Sequence, residues 1–303
     1  MAIAKRIFLF LVLNILVVLT VSTILNIFNV KPYLAAYGLD YQSLMIFCLI
    51  WGMGGALISL SLSRIMAKWM MGVKVVDPDT KDPQASALVS TIHRLCRKAG
   101  LAEMPQIGIY DSREVNAFAT GPTKRRSLVA VSSGLLSRMN QNEMEGVLAH
   151  EITHIVNGDM VTMTLVQGVV NAFVMFLARV LAYLVSGMGK DRKQGSGGSY
   201  FTYMLLVYVF EIAFMILGSI AIAWFSRRRE YRADRGGADL AGKEKMIAAL
   251  QSLKVLMNQR DQHAEKPAYQ TMKISTGHRS GLALLFSSHP PLETRIQKLR
   301  ESI

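Results

Sequence analysis

The residues best suited to chemistry are two histidines and a glutamate within the stretch His150-Glu151-Ile152-Thr153-His154. On a helix, residues four apart lie on the same face, so His150 and His154 can bind one metal ion between them. Glu151 stands beside them, where its carboxylate can accept a proton from water that the metal activates. The spacing predicts the catalytic helix of a zinc hydrolase with a single Zn²⁺ per chain. The alternative is a pair of hydrogen-bonded histidines on an ordinary helix.

The residues around this motif predict the helix that carries it. Asn140 can cap the N-terminus, and Glu143 stands at the third helical position, as in a capping box. Apolar residues at helical spacing follow and form one face: Met144, Val147, Leu148, Ile152, Ile155 and Val156.

A catalytic zinc normally has three protein ligands, and chain length points to Glu230 as the third. Two apolar runs, Met160–Val185 and Thr202–Phe225, separate His154 from Glu230. If they form an antiparallel helical hairpin, about 35 residues lead out and about 30 lead back, on the order of 50 Å each way. The hairpin would therefore return Glu230 to the level of His154.

Two aspartates near these positions could support the ligands. Asp234 lies one helical turn beyond Glu230, where it could accept a ring N–H from a ligand histidine and fix its tautomer. Asp159 could do the same, or it could be a polar residue where the helix enters the membrane. The alternative for Glu230 and Asp234 is pairing with Arg227–Arg229 on a solvated face.

Composition predicts a membrane protein. Of 303 residues, 51% are hydrophobic, and the mean hydropathy is +0.29. A bilayer crossing takes about 20 apolar residues. Four runs are long enough: Ile7–Phe28, Ser43–Leu62, Met160–Val185 and Thr202–Phe225. We interpret the first as an uncleaved anchor, because it is longer than a typical signal-peptide core and a second run follows soon after.

The net charge of +13 is explained by basic clusters beside these runs. They are Lys5/Arg6, Arg64/Lys68/Lys74 and Arg227–Arg229. By the positive-inside rule the N-terminus, the segment after the second run and the segment after the fourth run are cytoplasmic, with anionic lipid as partner. The basic residues near Lys190 oppose this assignment. The clusters contain no stacking aromatic platform, so a nucleic-acid partner is disfavoured.

The predicted fold is a mainly α membrane protein with four transmembrane helices and a small α+β zincin-like cytoplasmic catalytic domain. Residues 1–71 would hold two transmembrane helices, 72–159 the catalytic domain, 160–226 the transmembrane hairpin and 227–303 the cytoplasmic part that completes the zinc site. Within the catalytic domain the patterns predict a helix and two strands, Ala85–Ala99, Pro105–Tyr110 and Ser127–Val131. Near the C-terminus they predict a mobile loop over 259–281 and a short helix over Leu292–Leu299.

The element Glu230-Tyr231-Arg232-Ala233-Asp234, together with the histidine motif, resembles the M48 family of membrane zinc metalloproteases, and its bacterial heat-shock members most. The resemblance covers essentially the whole chain and is weakest at 189–200 and 258–281. It implies Glu230 as third ligand in a multi-pass zinc metalloendopeptidase of the bacterial inner membrane. The site would face the cytoplasm, and the polypeptide substrates would be misfolded or damaged membrane proteins.

The resemblance also implies roles for residues whose own pattern is weak. It places His289 of the His289-Pro290-Pro291 segment near the metal, as a second donor to the oxyanion; by itself this histidine reads as an ordinary loop residue. It likens 116–121 to the strand beside the substrate. Its residues Asn116, Ala117, Phe118 and Ala119 could then pair with an extended substrate. The alternative is a plain edge strand.

Two other classes of function stay open on the sequence. A zinc-dependent membrane protein that binds clients without turnover would not need Glu151. A metal or proton transporter is suggested by Glu211 within the fourth run, but the chain has no repeated halves. The hairpin would bring Arg179 level with Glu211, so we expect an internal ion pair there.

Overall fold

The computed structural model describes residues 41–187, 196–263 and 287–302. The described helices are α1 Tyr41–Met70, α2 Pro83–Lys98, α3 Ser133–Arg138, α4 Gln141–Asn157, α5 Asp159–Gly187, α6 Ser196–Ala241, α7 Lys243–His263 and α8 Leu292–Glu301. The strands are β1 Lys74–Val75, β2 Gln106–Tyr110, β3 Ala117–Thr120 and β4 Leu128–Ser132.

Three of the described helices are long and apolar enough to cross a membrane, judged by length and composition. They comprise Ser43–Met70, Asp159–Tyr183 and Tyr200–Ala241. The last three predicted runs lie in α1, α5 and α6, the helices that contain these spans. The first, Ile7–Phe28, lies outside the described residues.

The chain forms two compact units. Of the described residues, those up to Ser59 and within Thr164–Ile222 form one unit, and those within Leu60–Met163 and from Ala223 onward form the other. In the first unit, Arg179 Nη1 donates to Glu211 Oε1 at 2.7 Å, which confirms the predicted ion pair. The second unit contains the sheet and every residue of the site described below.

The sheet has four strands in the order β1-β2-β4-β3, so β3 stands at one edge. β2 and β4 run parallel, whereas β3 is antiparallel to β4 with Ala117 opposite Val131 and Ala119 opposite Val129. Every residue of β4 is buried, because helices cover one face and a second apolar cluster covers the other. The strands predicted at Pro105–Tyr110 and Ser127–Val131 are confirmed to within one residue at each end.

The core of this unit lies between the sheet, α2 and α4. Its fully buried members include Leu88, Ile92 and Leu95 of α2 and Leu148, Ile152 and Ile155 of α4. Each such side chain stabilises the fold by about 1.5–3 kcal/mol relative to an exposed position. The apolar face predicted for the histidine helix is therefore the face that fixes α4 on the sheet.

Two predicted boundaries are wrong for identifiable reasons. The helix predicted from Ala85 begins at Pro83, because the Asp82 side chain accepts from the Ala85 N–H and proline is favoured in the first helical turn. The loop predicted over 259–281 is helical in its first part, since α7 continues through His263. No glycine or proline interrupts the chain between Lys243 and Pro267, so nothing local stops that helix.

Candidate metal centre

The helix α4 begins and ends as its sequence predicts. Asn140 Oδ1 accepts from the Glu143 N–H at 3.0 Å, and Glu143 Oε2 accepts from the Asn140 N–H at 3.0 Å. This reciprocal pair is a capping box and fixes the first turn. The helix ends at Asn157 and is capped by Gly158, whose φ of 68° suits glycine. The cap and the buried apolar face together hold His150, Glu151 and His154 at one end of a rigid element.

The second half of the site comes from α6, a single helix of 46 residues that carries an apolar run and continues past it to Glu230 and Asp234. Two adjacent glycines let α6 pass close to α4. A Cβ on Gly236 would lie 2.4 Å from Thr153 Cγ2, and one on Gly237 would lie 3.1 Å from the His150 backbone nitrogen. This glycine pair is a signal in the sequence for the close approach of the two helices.

Three side chains bring possible metal ligands together. The Nε2 atoms of His150 and His154 lie 3.1 Å apart. Glu230 offers Oε2 at 3.5 Å from His150 Nε2 and Oε1 at 3.5 Å from His154 Nε2. All three residues are buried, and one ligand atom from each lies within 4.8 Å of the others. The predicted return of Glu230 to the level of His154 is therefore found.

Each histidine presents Nε2 because its other ring nitrogen faces a carboxylate. His150 Nδ1 lies 3.0 Å from Asp234 Oδ1, and His154 Nδ1 lies 2.6 Å from Asp159 Oδ2. A carboxylate on one ring nitrogen fixes the tautomer and leaves the lone pair of the other nitrogen for a metal. Asp159, left open by the sequence, thus contacts a candidate ligand as Asp234 does.

The electrostatics of the site favour a cation. Burial lowers the pKa of His154, but hydrogen bonds to Asp159 and Glu230 outweigh it and raise that pKa to about 9. The pKa of His150 is also raised: burial opposes protonation, and contacts with Asp234 and Glu230 prevail. Carboxylates that attract a proton onto these rings also attract a metal ion in its place.

Glu151 lies beside this group and contacts the edge of the sheet. Its Oε2 accepts a hydrogen bond of 2.9 Å from the Ala119 N–H of β3. The carboxylate is partly buried and faces the same strand that the sequence analysis linked to substrate.

The four residues predicted to bind substrate play different parts in the structure. Asn116 precedes β3 and pairs with Ser132, donating its N–H to Ser132 Oγ and accepting from the Ser132 N–H. Phe118 packs its ring against Tyr110, 5.7 Å between centroids. By antiparallel alternation the amides of Ala117 and Ala119 point to the outer edge. Among the described strands, none pairs with that edge.

The C-terminal segment supplies two more polar contacts. His289 Nδ1 lies 2.8 Å from Glu230 Oε2, with its side chain 64% exposed. Arg295 of α8 is 6% exposed and donates to Asp234 through Nε at 2.8 Å and Nη2 at 2.5 Å. The structure thus places His289 at the site, and it adds Arg295, which the sequence analysis did not consider.

The helical pattern of α8 indicates that Arg295 is buried. Leu292, Ile296 and Leu299 form its apolar stripe, and Arg295 falls within that stripe instead of on the polar face. An arginine on the buried side of a short helix needs a carboxylate partner, because an unpaired buried charge is costly.

The sequence left open that Glu230 and Asp234 pair with Arg227–Arg229 on a solvated face, and one such contact is found. Arg229 Nη2 donates to Glu230 Oε1 at 3.2 Å. Glu230 itself is 0% exposed, so it does not stand on a solvated face, and Asp234 pairs with Arg295 and His150.

Known proteins share this sequence along nearly its whole length. The chain is 49% identical over 303 residues to the protease HtpX homolog of Bacillus subtilis, covering 98% of this chain and 99% of the relative. It is 47% identical over 296 residues to the protease HtpX homolog of Thiobacillus denitrificans, with 98% and 99% covered. Protease HtpX of Shewanella piezotolerans is 47% identical over 299 residues, with 98% and 100% covered.

A solved structure shares the fold. The crystal structure of Ste24p from S. mikatae superposes with a TM-score of 0.60 at 18% identity, covering 84% of this chain. This chain spans 57% of the length of that one. At such low identity the likeness concerns the fold alone.

The relatives are proteases, which confirms the expectation of a proteolytic enzyme over a client-binding protein or a transporter. The helices long enough to cross a bilayer agree with a membrane enzyme. A family model, that of peptidase family M48, matches residues 83–303. The chain belongs to peptidase family M48 and is a membrane metalloprotease.

Proposed function

We propose that this protein is a multi-pass zinc endopeptidase of the bacterial inner membrane that cleaves misfolded or damaged membrane proteins at a site facing the cytoplasm. The observation that carries the proposal is the position of Glu151, beside the His150–His154–Glu230 group and in contact with the outer edge of β3. Base, metal ligands and peptide-binding edge thus meet at one place.

The donor set fits zinc. Two imidazole nitrogens and one carboxylate, with a coordination position left open, form a ligand set typical of catalytic zinc. Asp234 and Asp159 hold the ligand histidines in the required tautomer. The chemistry that one zinc per chain supplies when bound is a lowered pKa of coordinated water and polarisation of the scissile carbonyl.

Glu151 is the proposed general base. Its carboxylate would accept a proton from the attacking water and then deliver that proton to the leaving amine. The Ala119 N–H, 2.9 Å from Oε2, orients this carboxylate toward the edge strand. Substitution by glutamine would leave a group of the same shape that cannot accept the proton.

Substrate would bind by adding a strand to β3. The outward Ala117 N–H and the outward carbonyls of Ala117 and Ala119 can hydrogen bond to an extended peptide, whereas the Ala119 N–H is already donated to Glu151. The small side chains of both residues leave room for those of the substrate. The contact between Ala119 and Glu151 means that a peptide bound along this edge passes beside the base. Asn116 and Phe118 would hold the strand in place from its other side.

His289 is the proposed second donor to the oxyanion. Glu230 holds its Nδ1 at 2.8 Å, and the exposed ring stands beside the ligand group. With Nδ1 facing the Glu230 carboxylate, the donor to the oxyanion would be an Nε2–H of the doubly protonated ring, which would stabilise the negative charge that develops on the carbonyl oxygen.

The membrane arrangement is also part of the proposal. We propose that the chain crosses the membrane at each of the four apolar runs predicted from the sequence, and the three candidate spans among the described residues support three of these crossings. The proposed boundaries between membrane and cytoplasmic parts, after residues 71, 159 and 226, also come from the sequence. The basic clusters near Arg64 and at Arg227–Arg229 support a cytoplasmic site next to anionic lipid. A site beside the bilayer could reach cytoplasmic loops of membrane proteins.

The substrate class can be tested by reconstituting the protein in liposomes with one membrane protein in two forms. One form would carry a destabilising substitution in a cytoplasmic loop, and the other would be the stable parent. We expect zinc-dependent cleavage of the destabilised form at a rate at least about tenfold higher, since only unfolded segments can add a strand to β3. Equal cleavage of both forms, or cleavage of neither, would contradict this substrate class.

A further inference from the structure

Arg295 connects the C-terminal helix to both carboxylates that α6 contributes to the site. It binds Asp234 through two nitrogens, the paired geometry in which arginine and carboxylate interact most strongly. Its Nη1 also lies 3.7 Å from Glu230 Oε2. One guanidinium therefore neutralises charge on two side chains that stand one helical turn apart.

Arg295 reaches the ligand His150 by two routes: Nη2 lies 3.4 Å from His150 Nδ1, and shorter contacts run through Asp234. Asp234 Oδ1 accepts from Arg295 and also faces His150 Nδ1 at 3.0 Å. A carboxylate held from one side by arginine keeps its negative charge and its orientation toward the imidazole. Asp234 held in this way favours the orientation in which His150 directs Nε2 toward a metal.

The helix that supplies Arg295 has an anchor of its own. Ile296 and Leu299 are buried against Met246 and Leu250 of α7. Lys298 Nζ stacks over the Tyr231 ring at 3.7 Å. These contacts do not involve the metal site, so replacing Arg295 by methionine, which suits an apolar stripe, should leave α8 docked.

We propose that Arg295 is a positioning residue that couples metal loading to docking of the C-terminal helix α8, acting through Asp234 on His150. The proposal rests on the metal site of the proposed function. Coupling between two binding events is reciprocal, so if docked α8 strengthens metal binding, bound metal strengthens docking of α8 by the same factor. The last ten-residue helix is then part of the metal site, although it contributes no ligand.

The effect of Arg295 on metal binding can be tested by measuring the zinc affinity of the full-length chain in detergent through chelator competition. Arg295→Met should lower affinity about 10–100-fold, as for residues that support metal ligands. Arg295→Lys should fall between Met and wild type, because lysine restores the charge without the paired geometry. The matched control is Arg300→Met on the same helix, an exposed arginine, which should bind zinc as wild type does.

A double-variant cycle separates positioning from a general structural role. If Arg295 acts through Asp234, Arg295→Met should add little to the loss already caused by Asp234→Asn. Independent, additive losses would overturn the proposal, as would wild-type affinity in Arg295→Met. The absorption spectrum of the Co²⁺-loaded protein gives a second readout, since a displaced His150 changes the ligand field.

Hydrogen exchange of the α8 amides tests whether bound metal strengthens docking of α8. The measurement can be made on the wild-type chain and needs no variant to fold. Zinc should slow exchange in α8 in wild type and in Arg300→Met, and the effect should shrink in Arg295→Met and Arg295→Lys. Exchange in α8 that is the same with and without zinc in wild type would overturn the proposal. Failure of wild type to bind zinc at all would instead contradict the proposed function, so the two outcomes are distinguishable.

Discussion

Ala119 donates its backbone N–H to Glu151 Oε2 at 2.9 Å, which joins the edge of the sheet to the candidate base. The two residues lie 32 positions apart in the chain, and no side chain of the strand is involved in the bond. A peptide that pairs with the outer edge of β3 must therefore lie against the carboxylate.

This relationship predicts that the Ala119 amide matters more than its side chain. Ala119→Pro removes the N–H and should reduce cleavage of casein at least about tenfold while zinc content stays unchanged, because no metal ligand is touched. β3 is an edge strand and should tolerate the proline in its fold. Ala119→Ser keeps the amide and should lose far less activity; equal losses in both variants would argue against a role for the hydrogen bond between Ala119 and Glu151.

The metal ligands can be ranked by zinc content. Glu230→Ala should lose bound zinc as severely as His154→Ala, because each removes one of three ligands. Asp234→Asn should be milder, on the order of 10–100-fold in affinity. Elemental analysis of the purified variants measures this. A full zinc complement in Glu230→Ala would place the third ligand elsewhere, with His289 the next residue to test.

Much of this site could be predicted from sequence because its parts are locally encoded. Asn140 and Glu143 cap α4 as their spacing indicates. Glu230 was reachable by comparing lengths, since a continuous helix advances a fixed distance per residue. His150 and His154 needed only helical periodicity.

What the sequence did not yield are contacts made across long separations. Arg295 meets Asp234 from 61 positions away, and no spacing rule connects the two. The closeness of α4 and α6 depends on Gly236 and Gly237, whose meaning is clear only when the opposing helix is known. The bond between Ala119 and Glu151 depends on the register of β3, which is set by tertiary pairing.

A second unpredicted cluster gives a stability prediction. Glu145, 5% exposed on α4, accepts from Lys245 of α7 at 2.9 Å and pairs with Arg94 of α2 at 3.0 Å. Glu145→Gln should destabilise the fold by about 1–3 kcal/mol, because it leaves polar groups beside a buried position imperfectly paired. Pulse proteolysis over a urea gradient in detergent can measure this. Glu103→Gln is the control, since its carboxylate is more than half exposed and should change stability by less than about 1 kcal/mol.

The contacts of Glu145 also predict how the stability difference between wild type and Glu145→Gln depends on pH. Burial raises the pKa of Glu145, but hydrogen bonds from Lys245 and Arg94 prevail and hold it below its ordinary value of 4.5. A lowered pKa in the folded state stabilises the protein above the unfolded value, and the stabilisation is lost as pH falls through the folded value. The gap between wild type and Glu145→Gln should be full at pH 7 and should shrink below pH 4.5. A gap that grows on acidification would contradict the assignment.

The proposed topology can be tested with single cysteines after Cys48 and Cys96, both buried, are replaced by alanine. A cysteine at Ser196 should react with a membrane-impermeant thiol reagent added to intact cells. One at Ser90, an exposed residue of α2, should react only after lysis. Protection of position 196 in cells, with full reactivity after lysis, would mean that the last two candidate spans do not cross the membrane.

The central claim is that Glu151 is a base beside a zinc ion and is not itself a ligand. Zinc stoichiometry and casein cleavage should be measured together in detergent for wild type and Glu151→Gln. We predict about one zinc per chain in both proteins, as for a site with three protein ligands. Cleavage by the variant should be about 10²–10⁴-fold slower, the usual contribution of a general base. Wild-type turnover by Glu151→Gln, or a wild type that binds no zinc, would contradict the account.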